Sequence, residues 1–113
     1  MSPERRAVYR TARETLDKAI SEREFMAQII KLARLLEWRV SHPWLSIKSA
    51  AGVPDLLLVK PPRVIFFEVK TERGILTNAQ VAWLRDLGAC PGVEVYTARP
   101  SMWETVVRIL EGG

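Results

Sequence analysis

Three side chains with usable chemistry lie close together along this chain. Asp55 opens one apolar run (Asp55-Leu-Leu-Leu-Val59), and Glu68 and Lys70 close the next (Val64-Ile-Phe-Phe-Glu-Val-Lys70). Short β-branched-rich runs on either side of Lys60-Pro61-Pro62-Arg63 predict a β-hairpin. With the turn centred between the two prolines, Lys60 faces Arg63, Val59 faces Val64 and Asp55 faces Glu68. Lys70, two residues beyond Glu68, shares its face of the sheet. Directly opposed carboxylates repel each other, and the flanking leucines, valines and phenylalanines raise that cost by desolvation. The arrangement stands if something cationic sits between the two acids: Lys70 brings one charge, and a divalent metal two more. A plainer reading makes Glu68 and Lys70 a surface ion pair and Asp55 a turn cap after Pro54. A register slip of one residue would also send Asp55 to the other face.

The elements that must hold these residues follow from pattern. Ser21-Glu-Arg-Glu24 has capping-box spacing, and Phe25, Ile29, Leu32 and Leu36 recur behind it at a helical period, predicting a helix that ends near Glu37. Trp38 to Trp44 reads as a first strand closed by Pro43, and residues 45–54 as a polar connection. Both hairpin strands are apolar on both faces, which predicts a sheet covered on each side. Thr77-Asn-Ala-Gln80 starts a second helix that Gly88 should stop. Val93–Thr97 is a short strand, and Ser101-Met-Trp-Glu104 has the spacing to cap a last helix ending near Leu110. The order α-β-β-β-α-β-α, with one strand–helix–strand unit, predicts a mixed sheet in the α/β class. Residues 1–20 read as a polar helical extension or arm, and 21–113 as a single domain.

At 113 residues, 48% of them apolar, the chain suits one globular domain and is too hydrophobic to be disordered. Its apolar stretches are about four residues long where a membrane span needs about 20, so no membrane partner is expected. The charged N-terminus lacks a secretory apolar segment. The single Cys90 cannot form an internal disulfide, and no Cys/His set for zinc exists. The simplest expectation is an intracellular protein, cytoplasmic in a bacterial or viral-host setting. The net charge of +4 favours polyanionic partners such as nucleic acid.

Gly52-Val-Pro-Asp55-Leu-Leu followed by Phe67-Glu68-Val-Lys70-Thr resembles the signature of the PD-(D/E)XK nuclease superfamily. The following Gly74-Ile-Leu-Thr-Asn-Ala-Gln80, with Trp83 and Leu84, is similar to the VRR-NUC branch, which carries a glutamine on the helix after the signature. The resemblance runs from about Ser21 to about Leu110. It implies an αβββαβ core and a metal-dependent nuclease in which Asp55 and Glu68 ligate Mg²⁺ or Mn²⁺, with the backbone carbonyl of Val69 completing the site. It also implies that Lys70 positions or deprotonates the attacking water, that Gln80 belongs to the active site, and that the first helix contributes an acid. Glu22 and Glu24 compete for that place; Glu22 shares the inward face of Phe25, Met26 and Ile29, whereas Glu24 has the position of a capping-box glutamate. Gln80 has a competing role as well, closing the capping box with Thr77. Stand-alone members resemble Holliday-junction resolvases and often act as homodimers on branched DNA. The chain departs from the family in carrying Glu37 where a glycine precedes the tryptophan, and Asn78 where a proline is frequent.

Lys48, Ser49 and Arg73, on connections flanking the proposed site, are candidate phosphate contacts or ordinary solvated groups. His42 reads as a polar surface residue or a phosphate contact. Trp38, Trp83 and Trp103 fall on apolar faces and are expected in the core, whereas Trp44 suits base stacking or a dimer interface. The function expected is Mg²⁺- or Mn²⁺-dependent endonucleolytic hydrolysis of DNA phosphodiester bonds, structure-selective for Holliday junctions or other branched DNA, by a homodimer. The alternatives are a non-catalytic nucleic-acid-binding module that keeps the nuclease fold, and a partner-binding subunit whose acids merely form ion pairs.

Overall fold

A computed structural model describes residues 2–3, 20–42 and 50–112. Helix α1 (Glu22–Leu35) begins at Ser21, whose hydroxyl accepts the Glu24 N–H at 3.1 Å. It ends in a Schellman motif: Glu37 N–H donates to Arg34 O and Trp38 N–H to Ala33 O, at 3.1 and 2.9 Å. The residue between these closures must be left-handed, and Glu37 adopts φ 69°. A side chain is strained in that region, so the glutamate standing in place of glycine changes the energy of the helix exit, not its path.

Strand β1 (Arg39–Ser41) follows at once, then β2 (Leu56–Lys60) and β3 (Arg63–Val69), joined by Pro61-Pro62. The expected register holds, with Lys60 opposite Arg63, Val59 opposite Val64 and Leu56 opposite Phe67. Helix α2 (Asn78–Gly88) then crosses to β4 (Val93–Ala98), which lies parallel to β3; a 3₁₀ turn (Pro100–Met102) leads into α3 (Trp103–Glu111). The sheet order is β1-β2-β3-β4, antiparallel except for its last pair, so the α/β class and the mixed sheet are as expected.

One face of this sheet carries the core. Leu56, Leu58, Ile65, Phe67 and Val69 are fully buried with Phe25, Ile29 and Ala33 of α1 and Val106 and Leu110 of α3. The opposite face differs from the expectation of cover on both sides: Leu57, Val59, Val64 and Phe66 are half-buried, and no residue of α2 is fully buried. Trp38 is core, but Trp83 is 37% exposed, because α2 packs against β4 and leaves that indole at its margin. Gly88 is the last helical residue, with Ala89 as the cap. Ser101 does not cap α3, because both its N–H and its hydroxyl are bound to the Glu72 carboxylate. The first strand covers only Arg39–Ser41 among the described residues, and Pro43 and Trp44 lie outside them. The proposed arm, apart from Ser2, Pro3 and Ile20, also lies outside them.

At the turn end of the hairpin Arg63 ties the sheet to α3. Its guanidinium makes two bonds to Glu94, at 2.8 and 2.7 Å, donates to Ile109 O and Gly112 O, and stacks 5.1 Å above the Trp38 ring. Trp38 Nε1 donates in turn to Leu110 O at 3.1 Å. Because the Schellman geometry is already formed, Glu37→Gly is expected to raise unfolding free energy by about 0.5–1 kcal/mol in denaturant titration, with the fold unchanged.

Candidate active site

At the other end of the hairpin the backbone ladder stops at Leu56 and Phe67, and a side chain takes over. Asp55 Oδ2 accepts the Val69 N–H at 2.8 Å, which pins this carboxylate against β3 beside Glu68. Glu68 is 1% exposed. Its Oε1 receives one bond from Gln80 Nε2 at 3.0 Å, while its Oε2 is buried without a donor among the described residues. Burial first, then the charge of Asp55, push the Glu68 carboxyl up to about 8. It can pair with Asp55 only by keeping its proton, since two carboxylates have no hydrogen to share; Glu22 raises it further and Lys70 pulls it down. Glu22 is also raised, by burial and then by Asp55, against the lowering effect of Lys70. The structure thus brings Glu22, Asp55, Glu68 and Lys70 within electrostatic reach of one another. Glu24 is exposed and outside this group, its N–H used on Ser21.

Gln80 closes the capping box and reaches Glu68 at the same time, because its amide has two ends. Its Oε1 accepts the Thr77 N–H at 2.8 Å, its backbone N–H donates to Thr77 Oγ1 at 3.1 Å, and its Nε2 reaches Glu68. The capping box orients the amide so that a donor points at the buried acid. The loop before Asp55 is fixed from the same direction. Gly52 has φ +88°, and a Cβ built on it would lie 2.5 Å from the Ala79 carbonyl carbon, so the loop seats directly on the first turn of α2.

Glu22, Asp55 and Gln80 share a cleft of about 720 Å³ with Met26, His42 and Pro54. His42 is therefore half-buried in the cleft wall, not on open surface. Arg73 is exposed on the loop after Lys70 and outside that wall; Lys48 and Ser49 lie outside the described residues. Val69 sits between the acid and the lysine with its side chain in the core. Among the described residues no three His, Cys, Asp or Glu side chains form a ready-made ligand set. A metal here would rest on the two hairpin carboxylates with water and backbone oxygen, as Mg²⁺ commonly does. The donorless Oε2 of Glu68 and the hard carboxylate oxygens fit such an ion.

Two supports carried no sequence signal. Arg99, beyond β4, donates from Nη1 to Thr71 O, Glu72 O and Gly74 O at 2.8, 3.3 and 2.7 Å, and the Glu72 carboxylate binds Ser101. Only the three-dimensional return of β4 brings these partners together. Comparison of the chain with family models, with curated proteins and with solved structures finds no match in any of the three.

Two tests follow from this geometry. Glu68 ionises near 4.5 when unfolded and near 8 when folded, so its contribution to stability is complete below about 4.5 and is lost as pH rises through 8. In chelator, Glu68→Gln should remove this alkaline loss, so that melting temperatures of variant and wild type diverge in the variant's favour between pH 5 and 9. Gly52→Ala should cost about 2–4 kcal/mol in denaturant unfolding through strain plus contact. Gly92→Ala, with φ +80° and open space around the added Cβ, should cost about 1 kcal/mol.

Proposed function

We propose that this chain is a metal-dependent nuclease of the PD-(D/E)XK type, similar to the VRR-NUC branch, that hydrolyses DNA phosphodiester bonds. The observation that carries the reading is the buried Glu68 carboxyl held beside Asp55 with one oxygen lacking a donor among the described residues. Structural ion pairs do not leave an acid in that condition, whereas a cation-binding acid is relieved by its ion. In this reading Asp55 and Glu68 hold Mg²⁺ or Mn²⁺, with the Val69 carbonyl and water. When bound, such an ion lowers the pKa of water and neutralises a phosphoryl oxygen.

The remaining tasks fall to side chains. Lys70 brings ammonium donors to the charge that develops on the phosphate, and when deprotonated can accept a proton from the attacking water. Gln80 keeps Glu68 aimed, so that the acid does not have to be reoriented on loading. Glu22 adds a third negative charge that raises affinity for a cation without lying on the hairpin. The chain's net charge of +4 suits a polyanionic substrate. Branched DNA as substrate, and a two-fold pair of chains to cut it, enter the reading from the resemblance.

Metal should raise the melting temperature. At about ten times its dissociation constant an ion adds about 1.4 kcal/mol, some 5 °C for a domain of this size, and Asp55→Asn should abolish the rise. Incubation with Holliday junction, flap, splayed-arm, single-stranded and duplex DNA should show cutting of at least one with Mg²⁺ or Mn²⁺ and none with chelator. Asp55→Asn and Lys70→Ala should bind that substrate but cut it about 100-fold more slowly or worse. Binding without cutting by the wild type would favour the non-catalytic module, and an unimpaired Lys70→Ala would overturn the assignment.

A further inference from the structure

We propose that Arg99 is a positioning residue for Lys70, holding its side chain from behind through the loop 71–74. The proposal rests on the reading of Lys70 as a working member of the site. β3 ends at Val69, so Lys70 is the first residue beyond regular structure, and its own N–H is tied to Ala98 O at 3.0 Å. The chain then makes a tight turn in which Gly74 N–H donates to Thr71 O at 3.2 Å. Gly74 closes that turn against the Lys70 stem: a Cβ there would stand 3.0 Å from Thr71 Oγ1 and 3.3 Å from Lys70 Cδ. The flank of the lysine stem is therefore this loop.

A turn of four residues with its carbonyls gathered on one side needs a donor among them. Arg99 supplies it, with all three of its bonds going to carbonyls of this loop. Two are short, to Thr71 O and Gly74 O, and bracket the turn; the third, to Glu72 O, is longer. The next residues on the same segment hold the loop from its other side, through Ser101 and the Glu72 carboxylate. A free lysine carries about 2 kcal/mol of rotamer entropy, which a wall against its stem removes in advance. The end of β4 thus reaches Lys70 twice, by the Ala98 carbonyl at its backbone and by Arg99 through the loop that flanks its stem.

The test uses the full chain with Arg99→Met and Arg99→Lys, and begins with a measurement that needs no turnover. Acetic anhydride labelling read by mass spectrometry gives the acylation rate of Lys70 Nζ relative to Lys31 Nζ, exposed on α1. Arg99→Met is expected to change that ratio at least threefold, and Arg99→Lys to return it part-way. Arg63→Met, which removes the clamp at the opposite end of the sheet, controls for lost stability and should leave the ratio unchanged. On a substrate that the wild type cuts, Arg99→Met should lower kcat at least tenfold, with KM and the metal-induced rise in melting temperature retained. An unchanged labelling ratio, or an unchanged kcat, overturns the role of Arg99 while leaving the nuclease reading intact. A wild type that cuts nothing overturns that reading, and the labelling ratio still decides Arg99.

Discussion

A carboxyl group taken out of water with a single donor to answer it is the constraint on which this structure turns. Glu68 lies under α2 with one oxygen bound to Gln80 and the other lacking a donor among the described residues, next to a second acid pinned by a backbone N–H. Hydrophobic strands do not tolerate such a pair by default, because desolvation and mutual repulsion act in the same direction. Everything nearby is arranged to hold the two acids together, not to let them separate: the hairpin register, the Asp55–Val69 bond, the glycine seat on Ala79 and the capping amide. The far end is built the other way, with Arg63 and Glu94 paired, Tyr96 donating its hydroxyl to Glu94, and Trp38 stacked on the guanidinium. There Arg63 holds the Glu94 carboxyl below its ordinary range, the reverse of what happens to Glu68.

The division between the two ends explains how much could be read from the chain. The hairpin register was legible because two apolar runs, Leu56–Val59 and Val64–Phe67, flank a charged and proline-rich centre, Lys60-Pro-Pro-Arg63, that marks where the chain must turn. The inward tilt of Glu22 followed from helical periodicity alone. By contrast, Ser101 and Glu104 have capping-box spacing, yet Ser101 serves Glu72 across 29 residues of chain, a competition that no local pattern discloses. Trp83 was misplaced because α2 leans on one edge strand, so its apolar side is wider than the surface it covers. Arg99 and its carbonyl partners left no trace, since main-chain acceptors are the same at every residue.

The topology also says why the site lies where it does. β3 and β4 run parallel, so the segments that leave them emerge side by side, and Lys70 and Arg99 belong to these two exits. β2 runs the other way, and the residue just before it, Asp55, comes to the same end. Three strands thus deliver their charged termini to one rim of the sheet, and the two helices α1 and α2 place Glu22 and Gln80 above it.

The double employment of Gln80 has a consequence for how such a domain ages. If the proposed nuclease reading holds, a descendant released from chemistry has no further need of Lys70, which lies just beyond the end of β3. Gln80 would still be wanted to start α2, and Gly52 to let the loop rest on it. Decay should therefore erase the ammonium first and the amide late, leaving a recognisable scaffold whose surviving polar residues are those with a second, architectural occupation.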